Sequence, residues 1–348
     1  MAWITKSRIR FFVLHQKHPR KIINYMGLLI AYVLKWRKIP FLPVAIDIES
    51  NNTCNFKCPH CQVTHWGKER AYLDKKSFEK LLYQLPHLTN VKLQGMGEPL
   101  LNRQFIPMLE SGERRKISMK FFTNGSVCNH NTAERLLTLK NTHIVFSIDG
   151  ASAEVFEKIR VRSKFEQIKQ NIQYLTQIRG TKKQPVISAW CVINRYNVHE
   201  LPKIVKITND LRLDSITLQT FLNDWGKSAM KKHISPFRID PNSELLTTAL
   251  KEAMKVAKEN HINLRIKYDD FYSKRRVCTW PWTSAYIASN GDVVPCCILA
   301  DSNIVTMGNV FIEDFGEIWN SYEYQDFRER HRSHNLPDYC KHCYVDVN

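Results

Sequence analysis

Cys54-Asn55-Phe56-Lys57-Cys58-Pro59-His60-Cys61 follows closely on the apolar run Val44-Ala45-Ile46-Asp47-Ile48, and the pairing of the two decides the fold. The run reads as a strand, so a C-x3-C-x2-C triplet occupies the loop immediately after it. Three thiolates on one loop can hold three irons of a [4Fe–4S] cluster and leave the fourth open to a small molecule. A structural zinc site takes four ligands, and none follows within that loop. Parallel barrels also place their chemistry in loops at strand C-terminal ends.

Downstream, short apolar runs alternate with helical stretches. Val91–Leu93 is a second strand, ending in Gly95; Met119–Phe122, His143–Ile148, Val186–Ile193 and Ser215–Gln219 supply four more. Between them, helical spacing covers Phe78–Leu85 with Asp74 as N-cap, a helix opening at Phe105–Leu109, Ala133–Leu139, Ser152 to about Ile178, and Val198–Leu211. Six strand-then-helix units predict a parallel sheet with right-handed crossovers. Six units fall short of a full eight-unit barrel, so the expected fold class is α/β, a partial (β/α)6 TIM-like barrel.

The chain has 348 residues, 43% of them hydrophobic and 24% charged, which excludes a disordered or fibrous protein. Its 51 Lys+Arg against 33 Asp+Glu give +18, and half of that lies in residues 1–42, which hold nine Lys/Arg and no Asp or Glu. Ile22, Met26, Leu29 and Val33 recur there at helical spacing, which predicts a basic helical arm. The apolar stretch Ile22–Leu34 is too short to span a bilayer, so the arm reads either as an interfacial helix on anionic lipid or as a cap on the next domain. No nucleic-acid motif accompanies the charge. Ten cysteines in so long a chain are not a secreted disulfide scaffold, and the expectation is a cytoplasmic protein, either with the arm packed as a cap or touching a membrane through it. The expected division is an arm at 1–42, a barrel at 43–225, a linker and helix at 226–267 and a second, cysteine-rich domain at 268–348.

With its triplet in this loop, the chain resembles the radical S-adenosylmethionine (radical SAM) superfamily across roughly residues 43–225. The resemblance implies that Cys54, Cys58 and Cys61 hold a [4Fe–4S] cluster whose open iron binds the amino and carboxylate groups of SAM. One electron then releases a 5′-deoxyadenosyl radical that takes a hydrogen atom from substrate. His60 holds the place of an aromatic residue before the third cysteine. Gly95-Met96-Gly97-Glu98-Pro99 looks like the family's Gly-Gly-Glu-Pro segment for the SAM amino group, with Met96 replacing a glycine. Asn124 of Thr123-Asn124-Gly125 closes the third strand. Ser147, followed by Asp149-Gly150, is similar to the residue that meets the SAM ribose, and Arg160 stands where related enzymes place an arginine toward the SAM carboxylate. Singly, each is a common turn; in order, at successive strand ends, they agree.

The C-terminal cysteines are Cys278, Cys296, Cys297, Cys340 and Cys343. A turn at Asn290-Gly291-Asp292 would bring Cys278 and Cys296 together, and four thiolates suit either a fully ligated [4Fe–4S] cluster or zinc. Gly291-x4-Cys296, Gly308-Asn309, Ile318-Trp319-Asn320 and Cys340-x2-Cys343 resemble the SPASM/Twitch extension of radical SAM enzymes, as in Twitch-type dehydrogenases and radical SAM epimerases. This implies a second, auxiliary [4Fe–4S] cluster on Cys278, Cys296, Cys340 and Cys343. Cys297 is left over, as small buried side chain or as hydrogen-atom donor, with Cys128 and Cys191 as rivals.

The expected reaction is hydrogen abstraction from a sugar or peptide carbon followed by epimerisation, with Cys297 returning hydrogen. Alternatives are oxidation of a sugar or aminocyclitol alcohol, peptide crosslinking and, from another class, a zinc-stabilised binding protein. Expected partners are a sugar, nucleotide-sugar or peptide substrate and an electron donor such as flavodoxin or ferredoxin.

Overall fold

The computed structural model describes residues 18–224, 227–268 and 276–344. The strands are β1 (Ala45–Ile48), β2 (Asn90–Leu93), β3 (Ser118–Thr123), β4 (Thr142–Ser147), β5 (Val186–Val192), β6 (Ser215–Gln219), β7 (Leu264–Lys267), β8 (Tyr286–Ile287) and β9 (Val293–Val294). The helices that matter below are α1 (Pro19–Val33), α2 (Lys75–Gln84), α3 (Ala153–Ile159), α4 (Phe165–Arg179), α5 (Leu201–Asp210), α6 (Glu244–Glu259), α7 (Phe315–Trp319) and α8 (Tyr322–Arg332). They fall into two compact units, one drawn from Met1–Ser50, Ala71–Gly95 and Asp270–Asn348, the other from Asn51–Arg70 and Met96–Asp269.

The second unit holds β3 to β7, each parallel to the next. Burial alternates along these strands: Met119 and Phe121, Ile144 and Phe146, Ile187 and Ala189 are buried, while Lys120, Phe122, Ser147 and Trp190 are half-buried. The register levels Ser147 with Trp190. The strand Leu264–Lys267 lies in the stretch expected to be linker and helix. Its four residues alternate Leu and Ile with cations, a pattern too short to separate from the end of α6 before it is seen paired with β6.

The expected continuous helix from Ser152 is two helices. Its break falls at Arg160–Lys164, where Arg162 takes a left-handed φ of 73° and Arg160 turns to meet Asp149. The tertiary ion pair overrides the helical periodicity.

In the first unit β1 lies parallel to β2 on one side and to β8 on the other, and β8 turns back antiparallel as β9. The predicted Asn290-Gly291-Asp292 turn is there: Gly291 has φ +89°, and a Cβ on it would fall 2.6 Å from Asn309 Oδ1. Asn309 clips the turn, its Nδ2 donating to Asn290 O (3.1 Å) and Asp292 Oδ1 (3.0 Å). The Ile318-Trp319-Asn320 motif has a packing role as well. Asn320 exchanges hydrogen bonds with the backbone of Ile39, and Trp319 Nε1 donates to Phe41 O. Asp74 caps α2 as expected, accepting from Ser77 N at 2.9 Å.

Helix α1 departs from its expected single apolar row. Leu29 is buried, whereas Met26 and Val33 of the same row are exposed, because the packed face is Tyr25, Leu28, Leu29 and Ala31.

Candidate functional site

The cysteine loop is held from several sides within its unit. Lys57 N donates to Val161 O at 3.0 Å, and Cys61 N to Cys58 O at 3.0 Å. Glu98 N donates to Thr53 O, and Asn51 Nδ2 donates to Glu98 O, so the Gly-Glu-Pro segment is bound backbone to backbone with the loop. Gly97 is required by this approach: a Cβ there would lie 2.4 Å from Thr53 O and 2.5 Å from Asn51 O. The Glu98 carboxylate, fully buried, accepts from Asn124 N (2.6 Å), Thr123 Oγ1 (2.7 Å) and Leu100 N (3.1 Å). Burial pushes it up to about 7 against those hydrogen bonds. Asn124 in turn sends Nδ2 to Asn55 Oδ1 (3.0 Å) and to Cys54 Sγ (3.8 Å). Four expected site residues of three separate segments therefore meet: Cys54, Gly97, Glu98 and Asn124.

Arg160 and Asp149 join them as an ion pair, with Nη2–Oδ2 2.7 Å and Nε–Oδ2 2.8 Å. Asp149 also accepts from Val192 N at 2.8 Å, which ties the end of β4 to β5. Arg160 is held charged, and its positive field reaches Cys54 and Cys58. His60 is buried against Phe237 at 5.0 Å between ring centroids, and its Nδ1 has no partner. Burial lowers its imidazole to about 4, so it is neutral. Ser147 stands at the end of β4, half-buried. Gly95 belongs to the other unit, where a Cβ on it would fall 2.1 Å from the Glu49 side chain.

The donor set fits an iron–sulfur cluster. Burial pushes the Cys54 and Cys61 thiols up to about 11 and the Cys58 thiol up to about 12, so these sulfurs ionise only for a cationic partner. Arg160 and the orphaned His60 Nδ1 stand beside them as polar groups without a solvent role. Among the described residues no three His, Cys, Asp or Glu side chains are gathered tightly enough for a single metal ion.

In the first unit Cys278, Cys296, Cys340 and Cys343 line one cavity, walled by Phe327 and His331 of α8. Ile298 N donates to Cys296 Sγ at 3.2 Å, and Cys278 N to Tyr344 Oη at 2.9 Å. His331, fully buried and bonded through Nδ1 to Phe327 O, is lowered to about 4 by burial. Behind this wall Arg328 is 0% exposed, stacked between Trp319 (4.4 Å) and Tyr324 (5.1 Å), with Nε and Nη1 on the carbonyls of Pro281 and Arg37.

Cys297 is absent from the lining of that cavity. A hydrogen bond with Cys296 and then burial hold its thiol protonated, against the pull of Lys92; Asp47 also acts on it. Lys92 and Asp47 are an ion pair across the β1–β2 register. Cys297 thus lies within the field of this pair; two residues past Asp47, Glu49 accepts from Tyr286 Oη (3.0 Å), Ser289 N (3.1 Å) and Ser289 Oγ (2.9 Å). Cys191 and Cys128, the rival donors, are 0% and 1% exposed. The sequence reading missed Asp47, Glu49 and Lys92. Their signal was present: a carboxylate inside an otherwise apolar strand and a second one two residues on, just past its end, mark one polar face.

Residues 48–207 match the radical SAM superfamily, and residues 278–344 match SPASM, an iron–sulfur cluster-binding domain. The chain is 25% identical over 317 residues to the tungsten-containing aldehyde ferredoxin oxidoreductase cofactor-modifying protein of Pyrococcus furiosus, covering 85% of this chain and 86% of that one. It is 26% identical to the mycofactocin maturase MftC of Mycobacterium tuberculosis over 48% of this chain, but spans only 42% of that protein. Among solved structures it resembles Streptococcus suis SuiB bound to S-adenosylmethionine, with TM-score 0.70 and 17% identity over 94% of this chain and 79% of that one. SuiB has also been solved bound to its precursor peptide SuiA (TM-score 0.68, 16% identity, 92% of this chain and 76% of that one). The fold is the radical SAM partial barrel with a C-terminal SPASM domain; SAM with a [4Fe–4S] cluster, and auxiliary iron–sulfur binding, come with those two domains. The chain belongs to the radical SAM superfamily, as an enzyme carrying a C-terminal SPASM domain.

Proposed function

We propose that this enzyme inverts a carbon centre in a peptide, with Cys54, Cys58 and Cys61 as ligands of the SAM-binding cluster, Cys278, Cys296, Cys340 and Cys343 as ligands of one auxiliary cluster, and Cys297 as hydrogen donor. The bound cofactors supply the radical that takes hydrogen from substrate. Gly97 lets the Glu98-Pro99 segment close on the cysteine loop, Asn124 fixes Cys54, and Arg160 with Asp149 sets positive charge beside Cys54 and Cys58 for the SAM carboxylate. The peptide class is supported by SuiB, solved with a precursor peptide. The observation that carries the reaction type is the position of Cys297: next to a proposed ligand, outside the cavity the four ligands line, and beside the Asp47–Lys92 pair.

In the step proposed for it, the Cys297 S–H bond breaks and a C–H bond forms at the substrate radical. The resulting sulfur radical regains one electron from a ferredoxin- or flavodoxin-type donor and one proton from solvent. Substrate is neither oxidised nor reduced. Turnover with pooled synthetic peptides in D2O tests this. Wild type is expected to place one solvent deuterium at an inverted carbon, while Cys297→Ala makes 5′-deoxyadenosine without inverted product. Inverted product from Cys297→Ala would overturn the donor role. A second reading, oxidation or crosslinking, is favoured by the four-cysteine cavity, since a fully ligated cluster has no open iron and exchanges only electrons, and in this reading it takes one from the substrate radical. Its mark is a product two hydrogens lighter. Turnover of nucleotide sugars but not of peptides would overturn the substrate class.

A further inference from the structure

Among the described residues, helix α1 is packed on one side only. Toward its own unit it buries Tyr25, Leu28, Leu29 and Ala31. Asn24 locks its rotation, donating from Nδ2 to Leu42 O at 2.7 Å and accepting from Leu42 N at 3.0 Å. Tyr32 Oη donates to Val277 O at 2.8 Å, and a Cβ on Gly27 would sit 2.4 Å from the Phe41 ring. The opposite side is therefore fixed outward. It carries Ile23, Met26, Ile30 and Val33, exposed by 64%, 39%, 48% and 68%, and continues into Leu34 at 61%. The spacing i, i+3, i+7, i+10, i+11 makes these a single stripe rather than scattered exposed residues.

The segment of sequence that carries the stripe has charge of one sign. Residues 1–42 hold nine Lys/Arg and no Asp or Glu. Two of the nine turn inward, Lys21 onto Leu88 O (2.9 Å) and Lys35 over the Tyr32 ring (3.4 Å). Arg20 and Lys38 are exposed at the two ends of the helix, while Arg37 is paired with Glu329 at 3.8 Å. At 15 residues the helix is about 22 Å long, and no helix among the described residues is long and apolar enough to cross a membrane. A second copy seated on this face would bring cationic helix ends together, whereas anionic lipid complements both the stripe and its cationic ends.

We infer that α1 docks flat on an anionic lipid surface, with Ile23, Met26, Ile30 and Val33 at the headgroup–acyl boundary and Arg20 and Lys38 on lipid phosphates. This stands apart from the peptide reading and does not depend on it. The test is cosedimentation of the full-length, anaerobically reconstituted protein with vesicles of phosphatidylcholine alone or of equimolar phosphatidylcholine and phosphatidylglycerol. Binding is expected at least about tenfold tighter on the anionic vesicles. An Ile23→Ser/Ile30→Ser/Val33→Ser variant is expected to lose about tenfold or more of that affinity while keeping its melting curve and its formation of 5′-deoxyadenosine. Arg20→Gln/Lys38→Gln should erase part of the anionic preference but leave the residual apolar binding. Equal binding by wild type and the triple serine variant would overturn the inference, since charge elsewhere in the chain would then suffice. So would the absence of binding to either vesicle, or a wild-type dimer that the triple variant converts to monomer.

Discussion

The two cysteine sites solve different problems. The first takes its three cysteines from an eight-residue loop and surrounds them with charge: Arg160 beside Cys54 and Cys58, Asp149 behind Arg160, and Glu98 buried below Asn124. The second gathers four cysteines from across 66 residues into a cavity walled by Phe327 and His331. A loop with one ligand too few, set among ionised groups, suits a metal that must bind a charged small molecule. A complete set in an aromatic wall suits a metal that exchanges only electrons. The lesson is that ligand count and the polarity behind the ligands change together.

Cutting out one site at a time tests this comparison most severely. Cys54→Ala/Cys58→Ala/Cys61→Ala should abolish 5′-deoxyadenosine formation and lower iron from about eight to about four per chain. Cys340→Ala/Cys343→Ala should lower iron similarly yet leave SAM cleavage within a few-fold. Iron and sulfide analysis with chromatographic assay of 5′-deoxyadenosine reads both, and loss of all iron in either variant would show that the sites do not assemble independently.

A smaller effect sharpens the role of charge at the first site. Arg160→Met leaves the almost fully buried Asp149 carboxylate without its cation, and should cost about 3–5 kcal/mol in urea denaturation. Asp149→Asn/Arg160→Met should recover part of that, because the uncompensated charge goes with it.

A pH dependence follows from His143, half-buried on β4 and bonded to Ser188 Oγ. Burial, then the charge of Lys120, lowers it to about 4, against the opposing field of Asp214. The unfolded imidazole takes its proton near 6.5 and the folded one near 4, so stability is whole above about 6.5 and falls as pH drops through that window. Wild type should lose about 1–2 kcal/mol more than His143→Gln between pH 7.5 and pH 5, measured by paired urea melts. An equal loss in both would remove His143 from the account. Smallest is Asn309→Ala, which frees the β8–β9 turn and should cost about 1–2 kcal/mol while lowering iron only at the second site.

The gathering of Cys54, Gly97, Glu98 and Asn124 was legible because the cysteines share a loop and the other three sit at strand ends that periodicity locates. Each of the six expected strands is present to within about two residues, as is usual at element ends. What stayed hidden depends on partners far away in sequence. The break after Ile159 is set by Asp149, the strand Leu264–Lys267 by its pairing with β6, and the outward turn of Ile23 and Ile30 by Asn24 meeting Leu42. Asp47 was readable as a charge in a strand and Glu49 as one just past its end, but not their partners: Tyr286, Ser289 and Lys92 arrive from elsewhere.

The clasp on α1 and the residues after it has a consequence for how the protein is made. Tyr32 waits for Val277, 245 residues later; Trp36 O for Trp282, 246 later; Ile39 for Asn320 and Arg37 for Arg328, 281 and 291 later. At a ribosome adding about 5–20 residues per second, α1 spends about 12–50 s in the open before its C-terminal partners emerge. Tyr32 lacks its Val277 partner throughout that interval, while the outward row is uncovered as well. The nascent chain therefore shows its most apolar helix early and clasps it last, which makes the time of synthesis the period when a lipid surface or a chaperone has the most to hold.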